Sequence, residues 1–341
     1  MIIVFDNNRR LFGPTVLPLL KRLLPDTFLL ILVATLVVAT LLPARGNYAT
    51  VVHWLANLTV VLLFFFHGAK LARSAVVSGL THWRLHVLIL GSTFVMFPLL
   101  GWLLATLLPG LLSPALWTGV LFLVALPSTV QSSIAFVSIA KGNVPGAIAA
   151  ASASQVLGVF LTPLLVGLLA GTDSDGSNAV AGIGQVSLLI LLPFTVGHLL
   201  RPWIGDFVTR HKSTIAITDR ATIVLAVYSA FSAAVIEGIW GQLPAAQFAK
   251  LFVICSLLLA FALGFTKLLA RLGGFTRDDE IVLVFCGTKK SLVQGAPMAR
   301  VLFAGPEAGL ILLPIIIFHQ LQLMVCAWIA KHYASGAPAN E

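Results

Sequence analysis

From Thr27 onward the sequence is a succession of apolar runs, most of them about as long as a bilayer is thick, separated by short polar connections. A hydrocarbon layer of about 30 Å takes roughly 20 helical residues to cross. Lipid offers no hydrogen bonds, so a crossing segment must satisfy its own backbone, which a helix does within a single segment. The expectation is an all-α polytopic membrane protein, one membrane-embedded unit without a separate globular domain. Composition agrees, with 59% of residues hydrophobic and 10% charged, against roughly a quarter charged in soluble domains.

Ten spans are predicted: Thr27 to Leu42, Val51 to Ala72, Leu85 to Leu108, Trp117 to Ala140, Pro145 to Ala170, Val186 to Ile204, Arg220 to Trp240, Leu251 to Leu269, Glu280 to Leu302 and Ala308 to Ala330. Residues 1–26 form a mixed cytoplasmic lead-in. Its basic residues are followed by Pro25-Asp26 and a run long enough to span, not by the apolar core and small-residue cleavage site of a signal peptide. A polar stretch at Gly171 marks the midpoint. Residues 27–170 are thus a first five-span unit, 171–185 an outer loop, 186–331 a second five-span unit and 332–341 a cytoplasmic tail.

The formal net charge of +9 does not imply nucleic acid, because the basic residues are scattered at the ends of apolar runs, where orientation is specified. With ten spans and a cytoplasmic N-terminus, sixteen Lys and Arg fall in cytoplasmic segments and three, Arg45, Lys250 and Arg300, fall outside. This asymmetry predicts both termini in the cytoplasm, in a bacterial inner membrane. The twelve acidic residues are expected only in tails, loops and span ends. Cys255, Cys286 and Cys326 lie inside apolar runs without metal-ligand spacing and read as small buried side chains.

Two basic residues remain, Lys289 and Lys290, in the middle of the ninth span within FCGTKKSLVQG, Phe285 to Gly295. A charge there is expensive and requires partners. The fourth span is also interrupted, by Pro127 and the polar run Ser128 to Ser133. These are the fourth spans of the two halves, and five spans per half would make the second half enter the membrane upside down. Matching interrupted spans in two inverted halves are the sequence pointer to a transporter's substrate site. The candidate site residues are Ser128, Thr129, Gln131, Ser132 and Ser133 from the first break, and Gly287, Thr288, Lys289, Lys290, Ser291 and Gln294 from the second. Support is expected from His67 on span 2, Ser152 and Gln155 on span 5, and His319 and Gln320 on span 10, where His319 and Gln322 share a helix face.

Each of these has a plainer structural reading. The lysines could cap half-helices by binding freed carbonyls. Gln131, Ser132 and Ser133 could tie helices together, and His67 and His319 could be interfacial or packing residues. Other function classes fit less well. A channel would line a continuous pore with rings of like groups, and an intramembrane enzyme would need a nucleophile with a base or a metal set, whereas HExxH, GxSxG and paired carboxylates are missing from the sequence. No enzyme activity, cofactor or metal is expected.

The stretch LPSTVQSSIAFVSIAKGNVPGAIAAASASQVLGVFLTPLL, the FFFHGAKLA end of span 2 and the segment GTKKSLVQGAP resemble the bile acid:sodium symporter superfamily, above all its sodium/bile acid cotransporter 7-like branch. The resemblance runs from Thr27 to about Tyr333. It implies two inverted five-helix repeats, a panel domain of spans 1, 2, 6 and 7, and a core domain of spans 3 to 5 and 8 to 10. Broken spans 4 and 9 would cross at mid-membrane, beside a crevice for an organic anion such as a bile-acid-like conjugate or a small carboxylate.

The same comparison puts sodium in question. Where sodium-coupled relatives carry a Ser-Asn pair after the span-4 proline, this chain has Ser132-Ser133. Their glutamate and glutamine in span 9 fall on Phe285 and Lys289, and their span-5 hydroxyls on Ala147 and Ala151. Sodium, a hard cation, wants an all-oxygen shell. The expectation is therefore a secondary active transporter working by alternating access without sodium. Lys289 and Lys290 would replace the bound cations, held by freed carbonyls and by Gln131, Ser132, Ser133 and Gln294, and a proton would be the alternative coupling ion. A sodium-coupled symporter and a non-transporting regulatory membrane protein are the alternatives. The expected partners are a small organic anion and the lipid bilayer.

Overall fold

Backbone that must satisfy itself in hydrocarbon should be helical, and a computed structural model, which describes residues 27–70, 82–169, 176–238, 244–303 and 307–335, is helical almost throughout, with no β-strand among them. The expected lead-in and most of the expected tail lie outside the described residues. The helices are α1 (Thr27–Leu41), α2 (Gly46–Lys70), α3 (Trp83–Gly91), α4 (Phe97–Leu107), α5 (Pro114–Ala125), α6 (Gln131–Ile139), α7 (Val144–Leu169), α8 (Gly176–Arg210), α9 (Lys212–Ile236), α10 (Ala245–Leu272), α11 (Arg277–Thr288), α12 (Leu292–Leu302) and α13 (Ala308–Ser335). A π-helical turn, Ser92–Met96, joins α3 to α4.

Six stretches are long and apolar enough to cross a bilayer: α2, Trp83–Leu107, α7, Ser213–Ile236 within α9, α10 and α13. The fourth and ninth predicted spans are each two helices too short to cross alone, α5 with α6 and α11 with α12. Several helices begin well before their apolar run. Helix α8 starts at Gly176 rather than Val186, so residues 176–185 of the expected loop are helical, and α9 starts at Lys212 rather than Arg220. Hydropathy marks where a helix is apolar, while the backbone ladder continues into polar ends. Large apolar side chains such as Trp54, Leu107, Leu168, Trp203, Leu272 and Met324 face outward. So much exposed apolar surface calls for lipid, not water, around the molecule.

Helices α1, α2, α8 and α9 form one group, with α8 laid along α2 and α9 against α1 and α2. The α2–α8 contact is backbone on backbone. A Cβ at Gly68 would collide with the Phe194 carbonyl, and one at Gly197 with the Phe65 carbonyl. Small residues permit this approach, which brings helices together in lipid. In the second group, α13 packs on α5, and α10 on α11 and α13. The two groups meet through α9 against α12 and α13, and through α8 against α7.

Candidate functional site

Pro127 ends the first half-helix of the fourth span, and four successive carbonyls lose their helical partners. All four are recaptured from other elements. The Ala125 carbonyl accepts from Thr162 Oγ1 at 2.9 Å, and the Pro127 carbonyl from the backbone N–H of Ser291 at 2.9 Å. Those of Val124 and Leu126 accept from Lys290 Nζ at 2.7 and 2.8 Å. The third Lys290 bond, 2.9 Å, goes to the carbonyl of Thr93. That carbonyl is orphaned because the Phe97 N–H turns back to Ser92 and the next residue, Pro98, has no N–H to give. An ammonium has three donors, and all three are used, at the negative end of a half-helix. The Phe97 ring lies 4.3 Å from the same nitrogen. Gln322 fixes the lysine's backbone, accepting from the Lys290 N–H and donating to its carbonyl, both at 2.9 Å. The acceptors expected for the lysines were freed carbonyls and four polar side chains; Lys290 uses carbonyls alone.

Lys289 is placed differently. Fully buried like Lys290, its Nζ has no hydrogen-bond partner and sits 3.8 Å from the centre of the Phe136 ring. Phe136 in turn leans on Phe285, 5.9 Å between centroids. A desolvated cation–π contact is worth about 2 kcal/mol, less than the several kcal/mol that burying a lone charge costs.

The two breaks are neighbours. Besides the Ser291–Pro127 bond, a Cβ on Gly295 would press on the Leu126 side chain. The first break is laced by Thr129 Oγ1, which shares hydrogen bonds with Ser132 at 2.7 Å and Ser133 at 3.0 Å; Ser133 donates to the Phe285 carbonyl at 3.4 Å. At the second break Ser291 caps α12 through the Gln294 N–H, Gln155 donates to the Ser291 hydroxyl at 3.4 Å, and Gln294 Nε2 donates to the Gln155 carbonyl at 3.2 Å. The Ser128 N–H donates to the Ser154 hydroxyl at 3.0 Å.

A cavity of about 410 Å³ lies between the two helix groups. Of the predicted residues, Thr129, Gln131, Ser132, Ser291 and Gln294 line it, joined by His67, Ser152, Gln155 and His319. Ser128, Ser133, Thr288, Lys289 and Lys290 lie buried behind this surface, and Gly287 packs toward Thr266 of α10. Gln320 is half-buried and outside the lining. Ala147, Ala151 and Phe285, the positions at which the resemblance implied sodium ligands, are fully buried and bring no side-chain oxygen.

The charged part of the cavity was not foreseen. Lys70, Asp219 and Arg220 line it from α2 and α9, with Lys70 Nζ 2.9 Å from Asp219 Oδ2. The expectation that every acidic residue lies in a tail, loop or span end is corrected here. Asp219 is inside α9, because that helix begins two turns earlier than its apolar run, and it is 5% exposed. The signal was present in FFFHGAKLA and in the adjacent Asp219-Arg220, whose charges indicate orientation equally well.

Broken helices thus meet beside a polar cavity in a molecule with a lipid-facing surface. The chain belongs to the SBF-like CPA transporter family, whose model matches residues 26–335, and is an integral membrane transporter of the bile acid:sodium symporter kind. It is 53% identical over 313 residues to an uncharacterized protein of Pseudomonas aeruginosa, covering 92% of this chain and 94% of that one. Over 308 residues it is 47% identical to the Escherichia coli protein named "Putative symporter YfeH", covering 90% and 92%. It is 28% identical over 313 residues to sodium/bile acid cotransporter 7 of Rattus norvegicus, covering 90% and 92%.

Proposed function

We propose that this chain is a secondary active transporter that moves an organic anion by alternating access, without sodium and with a proton as the coupling ion. In this reading it has ten spans in two inverted repeats, with both termini in the cytoplasm of a bacterial inner membrane. The α1, α2, α8 and α9 group is the panel, and the cavity between panel and core is the substrate site. The observation that carries the reading is the Lys290 ammonium, a fixed cation held by three freed carbonyls where the broken helices meet. Support comes from the cationic side chains in the cavity, Lys70 and Arg220, and from its apolar walls, Ile148, Val156, Phe194 and Leu292. A polar head and an apolar body would both find partners there. The rat relative's name joins sodium to bile acid; here the bile-acid-like class is kept as a candidate and the sodium is not.

Thermal denaturation of the purified protein with organic acids of graded size, cholate and benzoate among them, tests this. A ligand at a hundredfold excess over its Kd adds about 2.7 kcal/mol, and the resulting shift should be the same in sodium, potassium or choline salts. Stabilisation that appears only with sodium would reverse the reading.

A further inference from the structure

Asp219 is the one buried carboxylate among the described residues, and nothing in the carrier reading above uses it. Its Oδ2 accepts from Lys70 Nζ at 2.9 Å, while its Oδ1 is buried and has no hydrogen-bond donor. Half of a buried carboxylate is therefore left unsatisfied at the wall of the cavity. Lys70 uses one of the three donors an ammonium has, and its side chain is 33% exposed. Among the described residues, charged and titratable groups reach the pair's surroundings from α2, α9 and α8, with α13 across the cavity. Helix α2 adds His67, one turn before Lys70, whose Nδ1 is engaged by the Leu63 carbonyl at 2.8 Å. Helix α9 adds Arg220 next in sequence, and α13 presents His319 from the opposite wall. Helix α1 has no titratable side chain, α8 brings Phe194 to the cavity and sets His198, whose Nδ1 is buried without a hydrogen-bond partner, against Gly68 of α2, and α12 brings Leu292, Val293 and Gln294. Arg300, at the far end of α12, is occupied with His53, Asn57 and Ser229.

We propose that Lys70 and Asp219 form a proton-operated anion site. A proton from the aqueous side goes to a carboxylate oxygen of Asp219, which then releases Lys70. The Lys70 ammonium keeps its own protons and takes the carboxylate or sulfonate of the incoming organic anion. With Asp219 ionised, the same anion would meet a like charge within the pair's own hydrogen-bond distance, which disfavours it. One proton and one monovalent anion enter together, so the site's net charge does not change. This rests on the reading of the cavity as an organic-anion site and adds where the coupling proton binds.

Two measurements on the full-length protein in lipid vesicles separate the parts. Infrared difference spectra taken on adding cholate or benzoate at fixed pH should show a carboxyl protonation band that is lost in Asp219→Asn. Calorimetry with cholate and benzoate, in buffers of different ionisation enthalpy, should show uptake of about one proton per anion, with affinity falling by up to about tenfold for each unit of rising pH. Asp219→Asn should bind without proton uptake and with no pH dependence. The proposal is overturned if anion binding brings no protonation band from Asp219, or if Asp219→Asn keeps the wild-type pH dependence. Anion binding without proton uptake overturns the proton-operated site and leaves the carrier reading standing. Binding of neither acid at any pH overturns the anion half, and with it the substrate class.

Discussion

At the scale of single residues, two adjacent lysines in one apolar run have opposite environments. Lys290 holds three carbonyls that two prolines leave without partners. Replacing it with methionine, similar in length, would orphan all three at about 1–3 kcal/mol each. Lys290→Met should therefore melt far below the wild type or fail to accumulate as monodisperse protein. Lys289→Met removes a buried charge that has only a ring for company, and exchanging such a charge for an apolar side chain is neutral or stabilising. Its melting temperature in detergent should equal or exceed that of the wild type. Equal losses in the two variants would contradict the assignment. The sequence made it plain that both lysines need partners and that freed carbonyls were candidates. It could not separate them, because the Thr93 carbonyl is orphaned by Pro98, far away in the chain, and the Phe136 ring belongs to a different broken helix.

At the scale of elements, the α2–α8 pair depends on Gly68 and Gly197, each lying under the other helix's backbone. Gly68→Ala or Gly197→Ala must push two helices apart, and overpacking of this kind costs about 1–3 kcal/mol or more. Each should lower thermal stability more than Gly264→Ala, where an added methyl meets nothing; a smaller loss at Gly68 than at Gly264 would count against the packing described. The broken helices were the most legible elements, since a proline followed by a polar cluster, and a lysine pair inside an apolar run, are both hard to reconcile with a helix that crosses lipid unbroken. Helix starts were the least legible. The polar first turns of α8 and α9 look like loop to a hydropathy pattern, and Asp219 was hidden there, counted as a span end when its helix had already begun.

At the scale of the whole molecule, the cavity and the Arg300 cluster lie at different levels of the same contact between helix groups. Arg300 reaches from α12 to His53 and Asn57 on α2 and Ser229 on α9, whereas the cavity lies toward Lys70 and Arg220. If the proposed orientation holds, the cavity would open to the cytoplasm and the Arg300 contacts would close the opposite side. A cysteine placed at Ser152 should react with a membrane-impermeant thiol reagent in inside-out vesicles and much less in right-side-out ones. The native Cys255, Cys286 and Cys326 are buried and give little background. Arg300→Gln, which weakens that closure, should raise labelling from the outer side; equal labelling from both sides in the wild type would refute the one-sided opening.

Uptake into proteoliposomes loaded and diluted in matched salts decides whether the protein is an organic-anion carrier in which a fixed lysine stands in place of sodium. Labelled cholate and benzoate would be followed under an inward proton gradient alone and under an inward sodium gradient alone. At least one of them should accumulate with the proton gradient, unchanged when choline replaces sodium. Accumulation driven by the sodium gradient, indifferent to the proton gradient, would contradict this expectation.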